Sequence, residues 1–263
     1  MSYFKHCFFH NMLTTMKRKI KFVTYVCKIK LFFIFGFKKI KTSYGIFMSI
    51  NHNDKTFQYC VAGLYGRYLY DLISKLKFEF YFIDIGANQG LYSICAAKNP
   101  HCQKVFLFEP QKKIFKILKS NLLINKVSKK CNLFNKAIYD RNKIMHMGVL
   151  PGHSGSGSIL IKRKFNEKVH TINHINLDLC IKVRPGIPII VKIDTEGTER
   201  VIINQLSKSK FFKSITKICY ESNDENNSSI NCKKILKNLG FAKFYRINSV
   251  NHSHHDIIAS KII

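Results

Sequence analysis

Apolar residues along the chain follow two patterns, short continuous runs and helix-like spacings. Short apolar runs bounded by turn residues indicate buried strands, whereas apolar residues three or four positions apart indicate helices. From residue 80 onward the two kinds of segment alternate, which is typical of a parallel sheet covered on both faces by helices. The predicted strands are 80–85, 104–109, 132–139, 187–193, 215–220, 241–247 and 256–260, and the predicted helices are 90–98, 110–125, 198–207 and 230–239.

Three further segments lie outside this alternation. Residues 44–50 (YGIFMSI) predict a strand, and residues 64–77 carry Leu and Ile at helical intervals. Residues 143–149 and 158–163 are predicted to pair as a hairpin around a loop rich in Gly and Ser. The whole pattern predicts an α/β fold with a doubly wound, mostly parallel seven-stranded sheet and helices on both faces.

A basic, aromatic-rich extension is assigned to residues 1–43, and the remaining domain to residues 44–263. The longest apolar run within residues 16–41 is 31–37, far short of the about 20 residues of a membrane span. No small-residue cleavage site follows it, which disfavours a signal peptide. Residues 16–41 could make peripheral contact with an anionic membrane. The alternatives, which we favour, are a lysine-decorated helix packed on the core and a flexible leader.

Composition adds a strong positive charge to this picture. Lys and Arg number 44 against 15 Asp and Glu, which gives a formal net charge of +29. Such an excess favours anionic partners such as nucleic acid, anionic lipid or acidic glycans. The lysines are scattered along the chain, however, so we interpret most of the charge as solvated surface. The nine cysteines form no C-x-x-C pair, and we interpret them as reduced thiols of a cytoplasmic protein.

The first segment with candidate chemistry is the turn DIGANQG at residues 84–90, between a predicted strand and a helix. Ligands of doubly wound sheets bind beyond the carboxyl ends of the strands, near the first such turn. Gly86 permits a tight turn and close backbone approach, and Asp84 could accept hydrogen bonds from a ligand ammonium. Asn88 replaces the second Gly of a dinucleotide fingerprint, which argues against a nicotinamide-dependent oxidoreductase.

Acidic residues complete the candidate site. Glu109 ends the next strand, roughly 20 residues after the Gly turn, where an acid hydrogen-bonds a ribose diol. Asp194, Glu196 and Glu199 follow the fourth strand in the sequence VKIDTEGTE (191–199). The carboxyl ends of parallel strands share one edge, so these acids are expected beside the turn, where a general base or a metal ligand would be useful.

Together these segments resemble the FkbM family of S-adenosylmethionine-dependent methyltransferases. The resemblance rests on DIGANQGLYS (84–93), FEP (108–110), the pair Leu177-Asp178 and VKIDTEGTE (191–199). It implies a class I methyltransferase-like, Rossmann-like fold, and known members mostly methylate hydroxyl groups, often on sugars or polyketides. The chain departs from the family at Tyr220-Glu221-Ser222, where a more apolar strand is usual, and in its basic extension.

The resemblance also implies S-adenosylmethionine as the cofactor and assigns residues to it. The methionine portion would be surrounded by Asp84, Gly86, Asn88, Gly90 and Ser93. Glu109 would hold the ribose, while Asn121 and the stretch from Asn135 to Ala137 would lie near the adenine. A hydroxyl acceptor needs a base as its oxygen attacks, and the candidates are Asp194, Glu196 and Glu221. Asp194 and Glu221 could also converge on Mg²⁺ as a hypothesis, and no metal ligand is assigned.

The sequence therefore predicts a cytoplasmic O-methyltransferase for a hydroxyl of a sugar in a glycan or glycan precursor, as in polysaccharide biosynthesis. A nucleic-acid methyltransferase is the first alternative. The charge favours it, but no N/D-P-P-Y-type motif follows the fourth strand, so a nucleic-acid partner is disfavoured. The second alternative is a non-catalytic binding protein, since fold alone does not decide function.

Overall fold

The structure is a computed structural model. It describes residues 2–223, 228–247 and 254–262, with side chains described over 15–222, 231–247 and 255–262. The chain forms two compact units, Met1–Arg67 and Tyr68–Ile263. The predicted division into residues 1–43 and 44–263 stays a prediction.

The N-terminal unit consists of α1 (Ser2–Ile34), β1 (Lys39–Lys41), β2 (Phe47–Ser49) and α2 (Lys55–Ala62). β1 and β2 pair antiparallel, so the strand predicted at 44–50 is confirmed over its second half only. α1 packs on α2, where the rings of Phe22 and Tyr59 stack with centroids 4.9 Å apart. Residues 2–34 of the extension are therefore helical rather than a flexible leader. No helix among the described residues is long and apolar enough to cross a membrane.

The sequence pattern missed α2, although its start carries a recognisable signal. The Asp54 carboxylate accepts a hydrogen bond from Phe57 N at 2.8 Å, which caps the first turn of the helix. Gly63, with φ of +71°, ends the helix in the left-handed conformation. The apolar residues Phe57, Cys60 and Val61 have helical spacing, but a helix of 8 residues is too short to establish the period, and only the caps mark its bounds.

The second unit alternates strands and helices along most of its length. α3 (Arg67–Ser74) leads into it, and the elements that follow along the chain are β3 (Phe80–Ile85), α4 (Leu91–Lys98), β4 (Cys102–Phe108), α5 (Lys112–Ile124), β5 (Cys131–Phe134), β6 (Ala137–Ile138), β7 (Lys143–Gly148), β8 (Asn166–Ile172), α6 (His174–Cys180), β9 (Ile189–Ile193), α7 (Glu199–Ser207), β10 (Ile215–Asn223), α8 (Ser228–Asn238), β11 (Phe241–Ile247) and β12 (His254–Lys261).

A seven-stranded sheet forms the centre of this unit, in the order β11-β12-β10-β9-β3-β4-β5. The five adjacent strands from β10 to β5 are parallel, and only β12 runs antiparallel to its neighbours β10 and β11. Every residue of β3 and β9 is buried, which requires cover on both faces of the sheet. β3 lies inside the sheet, and the chain adds β4 and β5 on one side of it and β9 and β10 on the other. The predicted doubly wound, mostly parallel seven-stranded sheet is therefore confirmed.

A second, three-stranded sheet has the order β6-β8-β7 and corrects two predictions. The strand predicted at 132–139 breaks after Phe134, and Ala137–Ile138 joins β8 instead of continuing β5. β7 pairs with β8, not with residues 158–163, whose β-type pairing with it is limited to the isolated bridge Gly148–Ser158. We call residues 149–165, which connect β7 to β8, the strap.

Apolar content misled the hairpin prediction. The run Ile159–Ile161 looked like a strand, but Leu160 and Ile161 are 52% and 46% exposed. In β8 the inward side chains include Val169 and Thr171, whose spacing of two satisfies the strand period. Alternation therefore identifies the true partner strand better than apolar content does.

Candidate active site

The turn between β3 and α4 is built on three residues with positive φ. Gly86, Asn88 and Gly90 have φ of +76°, +48° and +91°. A Cβ on Gly86 would lie 2.0 Å from the carbonyl oxygen of Asp194, so no other residue fits there without a backbone shift. The backbone N–H of Gly86 also donates to Phe108 O at 3.0 Å. The turn is thus fixed against the ends of β4 and β9.

Three of the predicted cofactor residues support this turn from inside the protein. Asp84, Ser93 and Asn121 are fully buried. Ser93 Oγ donates to Asp84 Oδ2 at 2.5 Å, and Asn121 Nδ2 donates to the carbonyl oxygen of Gln89 at 2.8 Å. These contacts hold the turn in shape, while a direct contact of Ser93 or Asn121 with a cofactor stays a prediction.

Lys192, on β9, is the buried cation of the site. Its Nζ donates to the carbonyl oxygen of Gly86 at 2.7 Å. It also pairs with Asp84 Oδ1 at 3.4 Å and with Asp194 Oδ2 at 3.3 Å. Burial opposes its charge, but the two carboxylates outweigh burial and raise its pKa. One ammonium group therefore joins the cofactor turn to the acidic end of β9.

Glu109 lies just beyond the end of β4, with its carboxylate held by the backbone. Its two oxygens accept hydrogen bonds from Asn88 N and Gln111 N, both at 2.8 Å. Burial raises the pKa of Glu109 to about 7, and the two N–H groups oppose that shift. The Asn135 amide donates to Glu109 O at 2.8 Å, and Ala137 follows in β6, so the residues predicted for ribose and adenine occupy adjoining segments.

These residues fit a nucleoside cofactor that carries a positive charge. Apart from its ion pair with Lys192, Asp84 Oδ1 is buried without a hydrogen-bond donor among the described residues, which leaves it able to accept one. Glu109 keeps a free lone pair on each oxygen beside its backbone partners, as a ribose diol requires. The tight turn at Gly86 allows a ligand to approach the backbone closely. The predicted set therefore suits S-adenosylmethionine.

The candidate bases converge at the carboxyl edge of β9 and β10. Asp194, Glu196 and Glu221 each offer a carboxylate oxygen, and these oxygens all lie within 4.8 Å of one another. Burial and the neighbouring acids raise the pKa of Glu221 to about 9 and that of Glu196 to about 7. The three acids named from the sequence therefore lie together, and their catalytic role stays a prediction. We call Asp194, Glu196, Glu221 and Asp256 the acid cluster.

Asp256, on β12, is the member of the acid cluster that sequence reasoning missed. It lies directly opposite Glu221 in the antiparallel pairing of β10 and β12. Burial raises its pKa to about 6, and Asp194 adds to the shift. The sequence contains a signal for this residue, because Asp256 is the one acid in the predicted strand segment HDIIAS. Acids are rarely buried in strands unless they are paired or functional.

The loop after β9 holds Glu196 in an unusual conformation. Glu196 has φ of +56°, which is uncommon for a residue other than Gly. Glu199 stabilises this loop, because its Oε1 accepts hydrogen bonds from Thr195 N and Gly197 N, both at 3.2 Å. Such backbone strain persists where the surroundings enforce it, often at functional sites. Glu199 thus organises the loop, and Glu196 is the side chain that the loop presents.

The strap connects the cofactor turn to the acid cluster. Ser154 Oγ donates to Asn88 Oδ1 at 3.1 Å, and Gln111 Nε2 donates to Ser154 O at 2.8 Å. Further along, Ser158 Oγ donates to the carbonyl oxygen of Glu196 at 2.8 Å. Arg163 lowers the pKa of Glu196 by its charge. None of these strap residues was predicted from the sequence, because their partners lie far away along the chain.

Comparison with known families decides the class of this site. The sequence profile described as "Methyltransferase FkbM domain" matches residues 84–258. The chain belongs to the FkbM methyltransferase family. The match begins at Asp84 and reaches past Asp256, so this FkbM chain carries the turn, Glu109 and the acid cluster within the family domain. It is an S-adenosylmethionine-dependent methyltransferase, and the family predicted from the sequence is confirmed.

A solved FkbM structure agrees with this chain in fold, and other methyltransferase structures align less closely. The methyltransferase FkbM from Methylobacillus flagellatus KT aligns with a TM-score of 0.50 at 12% identity, over 70% of this chain and 45% of that chain. Precorrin-6y C5,15-methyltransferase from Geobacter metallireducens GS-15 has a TM-score of 0.46 at 14% identity, over 74% and 87% of the two chains.

A third similar structure is TrmK of M. capricolum in complex with S-adenosyl-homocysteine. It has a TM-score of 0.45 at 13% identity, over 73% of this chain and 67% of that chain. A comparison with curated proteins finds no match. The mostly parallel seven-stranded sheet and the alignment with the FkbM structure of Methylobacillus flagellatus KT confirm the α/β class I methyltransferase-like fold predicted for the chain.

Proposed function

We propose that this FkbM methyltransferase transfers a methyl group to a hydroxyl oxygen, with Glu196 as the proton acceptor. The observation that carries the proposal is the position and pKa of Glu196. Its carboxylate lies within 4.8 Å of those of Asp194 and Glu221, and its pKa is raised to about 7. A general base works best with a pKa near the operating pH.

The other two candidate bases are less suited to that role. Asp194 is ion-paired with the buried Lys192 at 3.3 Å, so its charge is already compensated. The pKa of Glu221 is raised to about 9, which keeps it protonated near neutral pH, where it can donate a hydrogen bond to an acceptor oxygen. Glu196 is therefore the group that can change protonation state during turnover.

S-adenosylmethionine supplies an electrophilic methyl group when bound. Hydrogen bonds fix the Gly86 turn and the Glu109 carboxylate, which would orient the cofactor beside the acid cluster and lower the entropic cost of reaching the reactive geometry. The strap joins the Asn88 and Glu196 segments through Ser154 and Ser158. Glu196 then accepts the hydroxyl proton as the oxygen attacks.

A sugar hydroxyl, in a glycan or glycan precursor, is the acceptor that the acid cluster supports best. Carboxylates accept hydrogen bonds from several hydroxyls at once. Those carboxylates that are ionised also repel phosphate groups, which disfavours a nucleic-acid backbone at this edge despite the net charge of +29. The geometry thus favours a neutral polyol over a phosphodiester, and nucleic-acid methylation is the alternative to be tested.

The experiment compares Glu196→Gln with wild type and with Glu79→Gln, a control at an exposed position of the same unit. Thermal shift with S-adenosylhomocysteine measures cofactor binding, and methyl transfer to a panel of free sugars, glycans and RNA measures activity. We expect Glu196→Gln to lower kcat by about a hundredfold or more with an unchanged thermal shift, and to remove the rise of activity near pH 7.

Full turnover of Glu196→Gln would refute the role of Glu196, and transfer to RNA alone would refute the hydroxyl-sugar proposal. A thermal shift with NAD and none with S-adenosylhomocysteine would contradict the cofactor. Mg²⁺ is the competing occupant of the acid cluster. If activity falls with EDTA and returns with added Mg²⁺, the carboxylates serve the cation rather than the proton.

A further inference from the structure

The basic helix α1 has apolar side chains on two opposite faces. One face is turned toward the protein, with Ile29 fully buried and Phe22, Tyr25, Val26 and Phe32 partly buried. The other face is exposed and consists of Met16, Ile20, Val23, Cys27, Leu31 and Ile34. We call this second face the α1 stripe. Its spacing of three and four residues places all six side chains along one side of the helix.

The α1 stripe is too exposed to be part of the protein core. Ile20, Val23 and Ile34 are 63%, 59% and 73% exposed. The stripe runs from residue 16 to residue 34, which is about 27 Å of helix. Just beyond its end, Phe35 and Phe37 are 74% and 53% exposed. Contiguous apolar surface of this kind marks an interaction site.

Basic side chains flank the α1 stripe on both sides, and acids are absent from the segment. By helical position, Lys19 and Lys30 lie along one flank, and Lys17, Lys21 and Lys28 along the other. Residues 16–41 contain nine Lys or Arg and no Asp or Glu, and the first acid of the whole chain is Asp54. The surface is therefore apolar in the middle and uniformly positive at its edges.

We propose that the α1 stripe docks in the plane of an anionic lipid bilayer. An apolar strip between two rows of lysines fits the boundary between acyl chains and negatively charged head groups. Long lysine stems can lie along the apolar layer while their ammonium groups reach the phosphates. A second copy of the chain would bring two positive rows together, and a nucleic acid would leave the apolar strip in water. The lipid surface satisfies both features.

The first experiment is co-sedimentation of the full chain with vesicles of phosphatidylcholine alone or with 30% phosphatidylserine, a composition chosen at roughly the anionic content of membranes that attract polybasic segments. We expect binding to the anionic vesicles only, weakened by added salt. Ile20→Gln with Ile34→Gln should lower the partition coefficient by at least about tenfold. Lys19→Gln with Lys30→Gln should lower it by a similar factor.

Matched controls remove equally exposed side chains from the second unit. Leu123→Gln with Leu179→Gln takes away side chains that are 61% and 66% exposed, and Lys116→Gln with Lys119→Gln removes two exposed charges of α5. Both control pairs should bind the vesicles like wild type. Circular dichroism melts of all variants verify that the chain is folded.

The second experiment uses the absence of Trp from the chain. Ile34→Trp places a single reporter on the α1 stripe, and Leu179→Trp places one on the second unit. Anionic vesicles should shift the emission of Ile34→Trp to shorter wavelength and leave that of Leu179→Trp unchanged, because only the first reporter enters the acyl boundary.

Three outcomes would overturn the proposal. The first is equal sedimentation with neutral and anionic vesicles. The second is loss of a dimer, without vesicle binding, in the Ile20→Gln and Ile34→Gln variant, which would assign the α1 stripe to a second copy. The third is an emission shift of Ile34→Trp with DNA but not with vesicles.

Discussion

Loss of the Lys192 side chain should destabilise the fold strongly. Its ammonium group compensates Asp84 and Asp194 and donates to Gly86 O. Removing one partner of a buried ion pair costs about 3–5 kcal/mol, because the other charges stay buried without compensation. We expect Lys192→Met to lose that much in urea unfolding. Lys119→Met, at an exposed position of α5, should stay within about 0.5 kcal/mol, and equal losses would contradict the role of Lys192.

Glu221 should make stability depend on pH. Its pKa is raised from 4.5 to about 9, so between these values the folded state holds a proton that the unfolded state has released. Unfolding then releases a proton, and stability falls as pH rises through that window. Glu109, Glu196 and Asp256, with pKa values raised to about 7, 7 and 6, act in the same direction.

Thermal melts from pH 5 to pH 8.5 measure this effect. Glu221→Gln removes the titrating group. The difference between its melting temperature and that of wild type should therefore rise from pH 5 to pH 8.5 by about 2–4 °C, which corresponds to at least about 1 kcal/mol in the free energy of unfolding. Glu79→Gln, at an exposed position, should show a constant difference. A constant difference for Glu221→Gln as well would place its ionisation outside this window.

At the scale of elements, the strap is the segment most sensitive to a small substitution. A Cβ on Gly148 would lie 2.2 Å from the backbone oxygen of Ile161, so Gly148→Ala must displace the strap from β7. We expect trypsin to cut after Lys162, Arg163 and Lys164 about tenfold faster, since local opening exposes these sites.

Gly186→Ala is the control for this prediction. A Cβ there meets nothing within 4 Å, and φ is +81°, so the substitution adds strain outside the strap. It should leave the strap cleavage rate unchanged. If both variants accelerate cleavage equally, the chain unfolds globally, and the strap is not an independent element.

Strands and helices of the second unit were largely predictable because their periods are regular. β11 was placed at its true bounds, and α7 within a residue. The strap was not predictable, since its hydrogen bonds join Ser154 to Asn88 and Ser158 to Glu196 across long separations. Likewise, Asp256 joins the site only through the register of β12 against β10, which no local pattern specifies.

At the scale of the whole molecule, the charge is divided unevenly between site and surface. Seven of the 15 acids of the sequence are at the carboxyl edge of the sheet, namely Asp84, Glu109, Asp194, Glu196, Glu199, Glu221 and Asp256. The rest of the surface therefore carries few negative groups among 44 Lys and Arg. Such a surface attracts polyanions without reading their sequence.

DNA binding should accordingly be non-specific and sensitive to salt. Two duplexes of unrelated sequence should bind alike, and the affinity should fall by about a thousandfold or more between 50 and 200 mM salt. Fluorescence anisotropy measures both properties. Binding that prefers one duplex and survives 200 mM salt would instead support the nucleic-acid alternative.

The position of β12 has a consequence for how the protein is made. This strand follows β11 in the chain, yet it lies between β10 and β11 and delivers Asp256 beside Glu221. Before residue 261 leaves the ribosome, β11 has no neighbour in the sheet and the acid cluster lacks one member. Synthesis from the N-terminus therefore completes the site only after β12 has emerged, whereas α1 emerges before the other described elements and can pack on α2 while the second unit is still being made.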